Sequence, residues 1–173
     1  YLPENIKCKK IKVWGRSEKS VEEYIKEMTS LGWRLDRANT TDDIAATCDL
    51  IITTTPSKKP LLKNKLLKKG THINAIGSDS PEKNELEAEI LRAADLVVAD
   101  SILQCLERGE ISHAIRNKFI DKKDIQELGR LINANGTYKC KGHQISVADL
   151  TGVAVRDIQI AKAVFKECEK LKI

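Results

Sequence analysis

Short apolar runs alternate with helix-spaced apolar positions along most of this chain. Residues 11–14 read as a strand, although polar Lys12 interrupts it. Val21, Tyr24, Ile25, Met28 and Leu31 then recur at helical spacing. Ser20 with Glu23 fits a capping box near that helix's start, and Gly32 follows its end. Residues 33–35 suit a second short strand, and Thr41, Asp42 and Asp43 suit the first turn of a short helix. The β-branched run 50–54 ends in the turn Thr55-Pro56-Ser57. Further strands are predicted over 71–76, 96–99 and 144–148. Helices are predicted over 85–94 with Asn84 as cap, over 101–107 and 122–133, and from Gly152 to the C-terminus. On the last helix Ala154, Ile158, Ala161, Phe165 and Cys168 make one apolar stripe.

This alternation predicts an α/β fold: a doubly wound, Rossmann-like parallel sheet covered by helices. Ligands of such sheets bind beyond the carboxyl ends of the strands. Four segments lie there: 15–17, 53–57, 77–81 and 149–152.

Composition narrows the picture. The 173 residues suffice for one domain with a real core, or for a piece of a two-domain protein. Apolar residues at 41% and charged residues at 32% exclude wholesale disorder. No apolar run approaches the roughly 18 residues of a membrane span, so no membrane partner is expected. The net charge of +5 comes from lysines spread along the chain, with no aromatic residues interleaved. That pattern reads as a solvated surface and argues against a nucleic-acid partner. Cys8, Cys48, Cys105, Cys140 and Cys168 show neither CxxC nor Cys/His metal spacing. They read as reduced thiols of a cytoplasmic protein without a metal site. The chain opens on Tyr1 without an initiator Met, and the expectation is a fragment of a longer protein.

At the first strand end, a dinucleotide fold would place an acid to hold ribose hydroxyls if this were its second strand. Arg16 and Ser17 stand there instead. A guanidinium and a hydroxyl suit a 2′-phosphate and favour NADP over NAD. The competing reading makes Ser17 a helix cap and Arg16 a surface charge. No GxGxxG occurs in the chain, so on this register the first strand and its glycine-rich turn lie before Tyr1, and Tyr1-Leu2 ends a lost helix. At the second end, Thr53 and Thr54 offer hydroxyls and backbone N–H groups to a cofactor, or simply run into a turn. At the third, Gly77 permits a sharp exit, and Asp79 follows on a short loop. A carboxyl there can carry a proton to or from a substrate amine if partial desolvation raises its pKa. Alternatively, Asp79 caps an Asx-turn. His72 reads as a satisfied, half-buried strand residue, and His113 and His143 lie in polar stretches.

The stretch Asn74-Ala75-Ile76-Gly77-x-Asp79-x-Pro81-x-Lys83-x-Glu85-Leu86 resembles the ornithine cyclodeaminase/mu-crystallin family. Val13-Trp14-Gly15-Arg16-Ser17, Asp49 to Thr55, Lys69 to Ile73, Gly109-Glu110, Glu127-Leu128-Gly129 and Thr151-Gly152-Val153-Ala154 with Asp157 and Ala161 support it. The resemblance implies an NAD(P)-dependent enzyme acting at the Cα–N bond of a small amino or imino acid. In the cyclodeaminase branch L-ornithine becomes L-proline and ammonia; related members oxidise alanine or reduce cyclic ketimines. Asp79 falls on the family's acid/base aspartate. Thr53, Thr54, Asn74, Ala75, Ile76 and Gly77 fall on cofactor-contacting positions, Arg16 and Ser17 on those of NADP-using members, and Asp149 and Leu150 on the loop that meets substrate. Mu-crystallin-like members lack the acid, so Asp79 points to the cyclodeaminase and amino-acid dehydrogenase branches. A ketimine reductase or a non-enzymatic binding protein is the alternative. The implied organisation is a partial NAD(P)-binding domain over 1–150, lacking the glycine-rich turn, and a helix over 151–173 that packs on an N-terminal substrate and dimerisation domain absent from this chain. The whole protein is then a homodimer, and this chain alone neither turns over nor binds cofactor well.

Overall fold

The chain's computed structural model describes residues 10–134 and 141–171. The strands are β1 (Lys10–Val13), β2 (Arg34–Arg37), β3 (Leu50–Thr53), β4 (His72–Ala75), β5 (Leu96–Ala99), β6 (Ile125–Glu127) and β7 (Ser146–Asp149). The helices are α1 (Glu18–Ser30), α2 (Thr41–Thr47), α3 (Ala88–Ala93), α4 (Ile102–Cys105), α5 (Gly109–Arg116), α6 (Leu128–Asn133) and α7 (Ala154–Leu171). Cys8, Cys140 and the expected helix end at Tyr1-Leu2 lie outside the described residues. Cys48, Cys105 and Cys168 are free thiols.

Every named strand pair is parallel, as the predicted α/β class requires. The sheet is nevertheless in two pieces. Five strands run in the order β3-β4-β7-β5-β6, while β1 pairs only with β2. Among the described residues, no strand pairs with the second edge of either β1 or β3.

Burial follows position in the sheet. Central β7 is buried at all four residues, whereas edge strand β3 alternates, with Leu50 and Ile52 left 38% and 48% exposed. The sequences do not mirror this: half-exposed β3 is the apolar run Leu-Ile-Ile-Thr, whereas buried β7 begins on Ser146 and ends on Asp149. The core gathers Ile73, Leu86, Ile90, Leu91, Ile111 and Val147 between the five-stranded sheet and α3 and α5.

Three predicted elements differ, and one helix was not predicted. Helix α1 is capped by Ser17, whose Oγ accepts from Ser20 N at 3.3 Å, so the helix starts earlier than a Ser20–Glu23 box places it. The segment 85–87, predicted helical, is extended: Leu86 bridges Leu62, and α3 starts only at Ala88. Residues 122–133 divide into a 3-10 turn, edge strand β6 and helix α6. Helix α5 went unpredicted because it opens on Gly109 at φ +86° with no side-chain cap. A Cβ at Gly109 would lie 2.6 Å from Asp149 Oδ2, so close approach to β7 demands glycine.

Candidate active site

The parallel register aligns Thr53 with Ala75, and Ala75 and Ala99 with Asp149. Four strands therefore end at one level, and their exit loops leave the same rim of the sheet. On that rim lies a cleft of about 330 Å³ lined by Ile76, Asp79, Leu150, Thr151 and Gly152, with Asp157 and Ile160 of α7.

Asp79 stands in this cleft with its side chain 57% exposed, paired to Lys83, whose Nζ lies 2.5 Å from Oδ1. The Lys83 ammonium holds the Asp79 carboxyl below its ordinary pKa, chiefly through that hydrogen bond. The expected rise by desolvation is not found, because the loop is too open for burial to outweigh the adjacent cation. Asp79 is thus ionised in the neutral range. The Lys83 carbonyl is itself held: Ser78 Oγ donates to it at 2.5 Å, and His113 Nε2 lies 2.8 Å away. Sequence reasoning passed over His113 because only the fold brings α5 against this loop.

Three carboxyls close to these strand ends are buried: Glu85, Glu110 and Asp149. Glu85 accepts from Thr53 Oγ1 at 2.6 Å, Thr55 N at 2.6 Å, Thr55 Oγ1 at 2.7 Å and Gly77 N at 3.0 Å. Glu110, at the start of α5, accepts from Glu85 N at 2.8 Å, Leu86 N at 3.1 Å and Asn84 Nδ2 at 2.6 Å. These bonds explain the extended 85–87 segment: Glu85 N and Leu86 N go to Glu110, and Glu87 N goes to the Leu62 carbonyl, instead of to a helix. The signal was present in the quoted motif, where Glu85 is a charged residue directly before an apolar core position.

Burial pushes the Glu110 pKa up to about 7, with the Glu85 charge adding to the rise and the three donors opposing it. Because the folded pKa exceeds the unfolded one, this group's stabilising contribution is complete below pH 4.5 and is lost as pH rises through about 7. The full swing is on the order of 3 kcal/mol. Replacing Glu110 with Gln should flatten the pH dependence of urea unfolding across that window; an unchanged slope would remove Glu110 as its source.

The other candidate residues are placed as follows. Thr53 is 8% exposed, and its hydroxyl goes to Glu85, so its side chain secures the floor. Thr54 is exposed just past β3. Asn74 Oδ1 lies 3.0 Å from His72 Nε2, and His72 Nδ1 lies 2.7 Å from Ser146 Oγ, giving the satisfied histidine expected. Ala75 is 1% exposed, whereas Ile76 opens to the cleft at 40%. Leu150 lines the cleft. Asp149 does not: it is 1% exposed, and its Oδ2 accepts from Ile111 N at 2.8 Å. Burial raises its pKa well above the usual carboxylate range. Its carboxyl therefore anchors α5 to β7, which corrects the expectation of substrate contact. Arg16 is exposed, and Ser17 caps α1.

A Cβ at Gly77 would lie 2.3 Å from Thr55 O, so the exits of β3 and β4 touch backbone to backbone. Ligands of parallel sheets bind beyond the carboxyl ends of the strands, which is where these exits lie. The sequence profile of the ornithine cyclodeaminase/mu-crystallin family matches residues 2–172. The chain belongs to this family. Alanine dehydrogenase of Archaeoglobus fulgidus is 34% identical over 157 residues, which cover 90% of this chain and 48% of that one. A Δ1-pyrroline-2-carboxylate reductase of Bacillus cereus is 35% identical over 121 residues, 69% of this chain and 37% of that one. The solved structure of an archaeal alanine dehydrogenase dimer with bound NAD superposes with a TM-score of 0.85 at 32% identity, covering 95% of this chain and 51% of that one. The chain thus spans about half the length of the family members it matches.

Proposed function

We propose that the protein carrying this chain is a nicotinamide-dependent enzyme acting at the Cα–N bond of an amino acid, of the amino-acid dehydrogenase or cyclodeaminase type. The observation that carries this reading is Asp79, a paired but exposed carboxylate in a cleft at the aligned strand ends. The relatives supply its direction: one is an alanine dehydrogenase, and another reduces a cyclic imino acid. When bound, the cofactor would accept hydride from the substrate's Cα–H bond as the Cα–N bond becomes an imine. Residues 53–55 and 76–77 would hold it. Asp79, kept ionised by Lys83, accepts a proton from the substrate ammonium, and Leu150 with Ile76 shields the reacting centre from water.

The split sheet supports a further part of this proposal. The open edges of β1 and β3, and the exposed Leu50 and Ile52 beside one of them, fit an additional parallel strand between the two pieces. We assign it to the first unit of the dinucleotide fold, carrying the glycine-rich turn. The exposed Ile158 and Phe165 of α7, at 53% and 64%, fit packing against a substrate and dimerisation domain elsewhere in the protein.

The test is product analysis with the whole protein, NAD or NADP, and L-alanine or L-ornithine. Net cofactor reduction with alanine marks a dehydrogenase. Proline and ammonia from ornithine without net reduction mark a cyclodeaminase. Absence of both turnover and cofactor binding would contradict the proposal. Cofactor choice is tested separately: changing Arg16 to Asp should weaken NADPH binding about tenfold and leave NADH nearly unaffected. Equal losses would mean that Arg16 reads no 2′-phosphate.

A further inference from the structure

Parallel strands separate once their hydrogen-bond ladder ends. Between β3 and β4 the ladder ends where Ile76 N and Gly77 N both donate to Thr53 O, at 2.9 and 3.2 Å. Past that point, Thr55 still lies against Gly77, closely enough that no Cβ fits between them. The group that joins them there is the Glu85 carboxylate. Oε1 takes both donors of Thr55, while Oε2 takes Thr53 Oγ1 and Gly77 N. Glu85 is fully buried, and among the described residues no lysine or arginine pairs with it. Burying a carboxylate without a cation is costly unless its acceptor sites are filled. Two backbone N–H groups and two hydroxyls from two loops fill them here. Its own backbone is fixed in turn, since Glu110 of α5 takes Glu85 N and Leu86 N.

We propose that Glu85 is a positioning residue whose carboxylate sets the spacing between the exits of β3 and β4, giving a nicotinamide cofactor a preformed floor and placing the Asp79 loop over it. This rests on the cofactor reading above. A residue serving only packing would lower stability when changed and leave ligand affinities alone. A spacer of the floor acts selectively on the cofactor.

The decisive comparison uses Glu85→Gln in the whole protein. Gln keeps the shape but gives the floor an amide donor that faces the Gly77 or Thr55 N–H. NADH Kd, read by nicotinamide fluorescence, should rise about tenfold, the loss of one or two such bonds. The amino-acid KM at saturating cofactor should stay within about twofold, and amide exchange at Thr55 and Gly77 should quicken together. Unchanged NADH Kd, or equal shifts in both affinities, would overturn the assignment. Should Glu85→Gln fail to fold, Thr53→Val removes one of the four bonds at constant shape. A smaller rise in NADH Kd, about threefold, then supports the clamp, and no rise overturns it. Wild-type protein that binds no NADH contradicts the cofactor reading itself. In that case, quickened exchange confined to Thr55 and Gly77 still upholds the clamp, and unchanged exchange removes it.

Discussion

Replacing Asp79 with Asn in the whole protein should lower turnover by about 10²–10⁴-fold while leaving NADH affinity within about twofold. That range is the usual contribution of one positioned acid–base group. The side chain keeps its shape, and the loop keeps its anchors at Ser78 and His113, because both bind the Lys83 carbonyl rather than Asp79. What is lost is the site that accepts the substrate's proton. Because Lys83 holds the Asp79 pKa below its ordinary value, the wild-type base form is present throughout the neutral range. Activity should therefore not fall on mild acidification through this group. Unchanged turnover in the Asn variant would remove Asp79 from the chemistry, whatever the cleft holds.

Gly77→Ala should be strongly destabilising. Its Cβ would meet Thr55 O at 2.3 Å, Thr55 N at 2.5 Å and Glu85 Oε1 at 2.6 Å. Two of these atoms are backbone and cannot rotate away, so the loops must part. The expected cost is about 3 kcal/mol, the upper end for overpacking. In a chain of this size it appears as a fall in Tm of about 6–12 °C. NADH affinity should fall with it, since separated exits no longer form one floor. A melting temperature within a degree or so of wild type would mean that these loops do not touch in solution.

These two residues also show how much the sequence reveals. Gly77 and Asp79 lie in a run of thirteen positions whose pattern carries both fold and chemistry, and the fold places both at the predicted rim. Apolar runs located β3, β4 and β5 nearly to the residue, because short apolar stretches between turn signals mark parallel strands. Where local pattern and tertiary demand conflict, sequence reading failed. Residues 85–87 look helical by spacing, yet Glu85 N and Leu86 N donate to Glu110 and Glu87 N to the Leu62 carbonyl. Asp149 sits at a strand end as a ligand contact would, but the N-terminus of α5 takes its carboxylate inward. Edge strand β6 exists through pairing with β5, which no local signal announces. The helix α5 that supplies Glu110 and His113 lacked a cap, although Ile111, Ala114 and Ile115 repeat at helical spacing.

The most direct measurement is a crystal structure of the whole protein soaked with NADH. The account predicts the nicotinamide ring on the rim shared by Thr55, Gly77 and Leu150, with its reactive carbon facing the Asp79 carboxyl across the cleft. A nicotinamide bound at the opposite ends of the strands, or on this rim with Asp79 turned away from it, would contradict it.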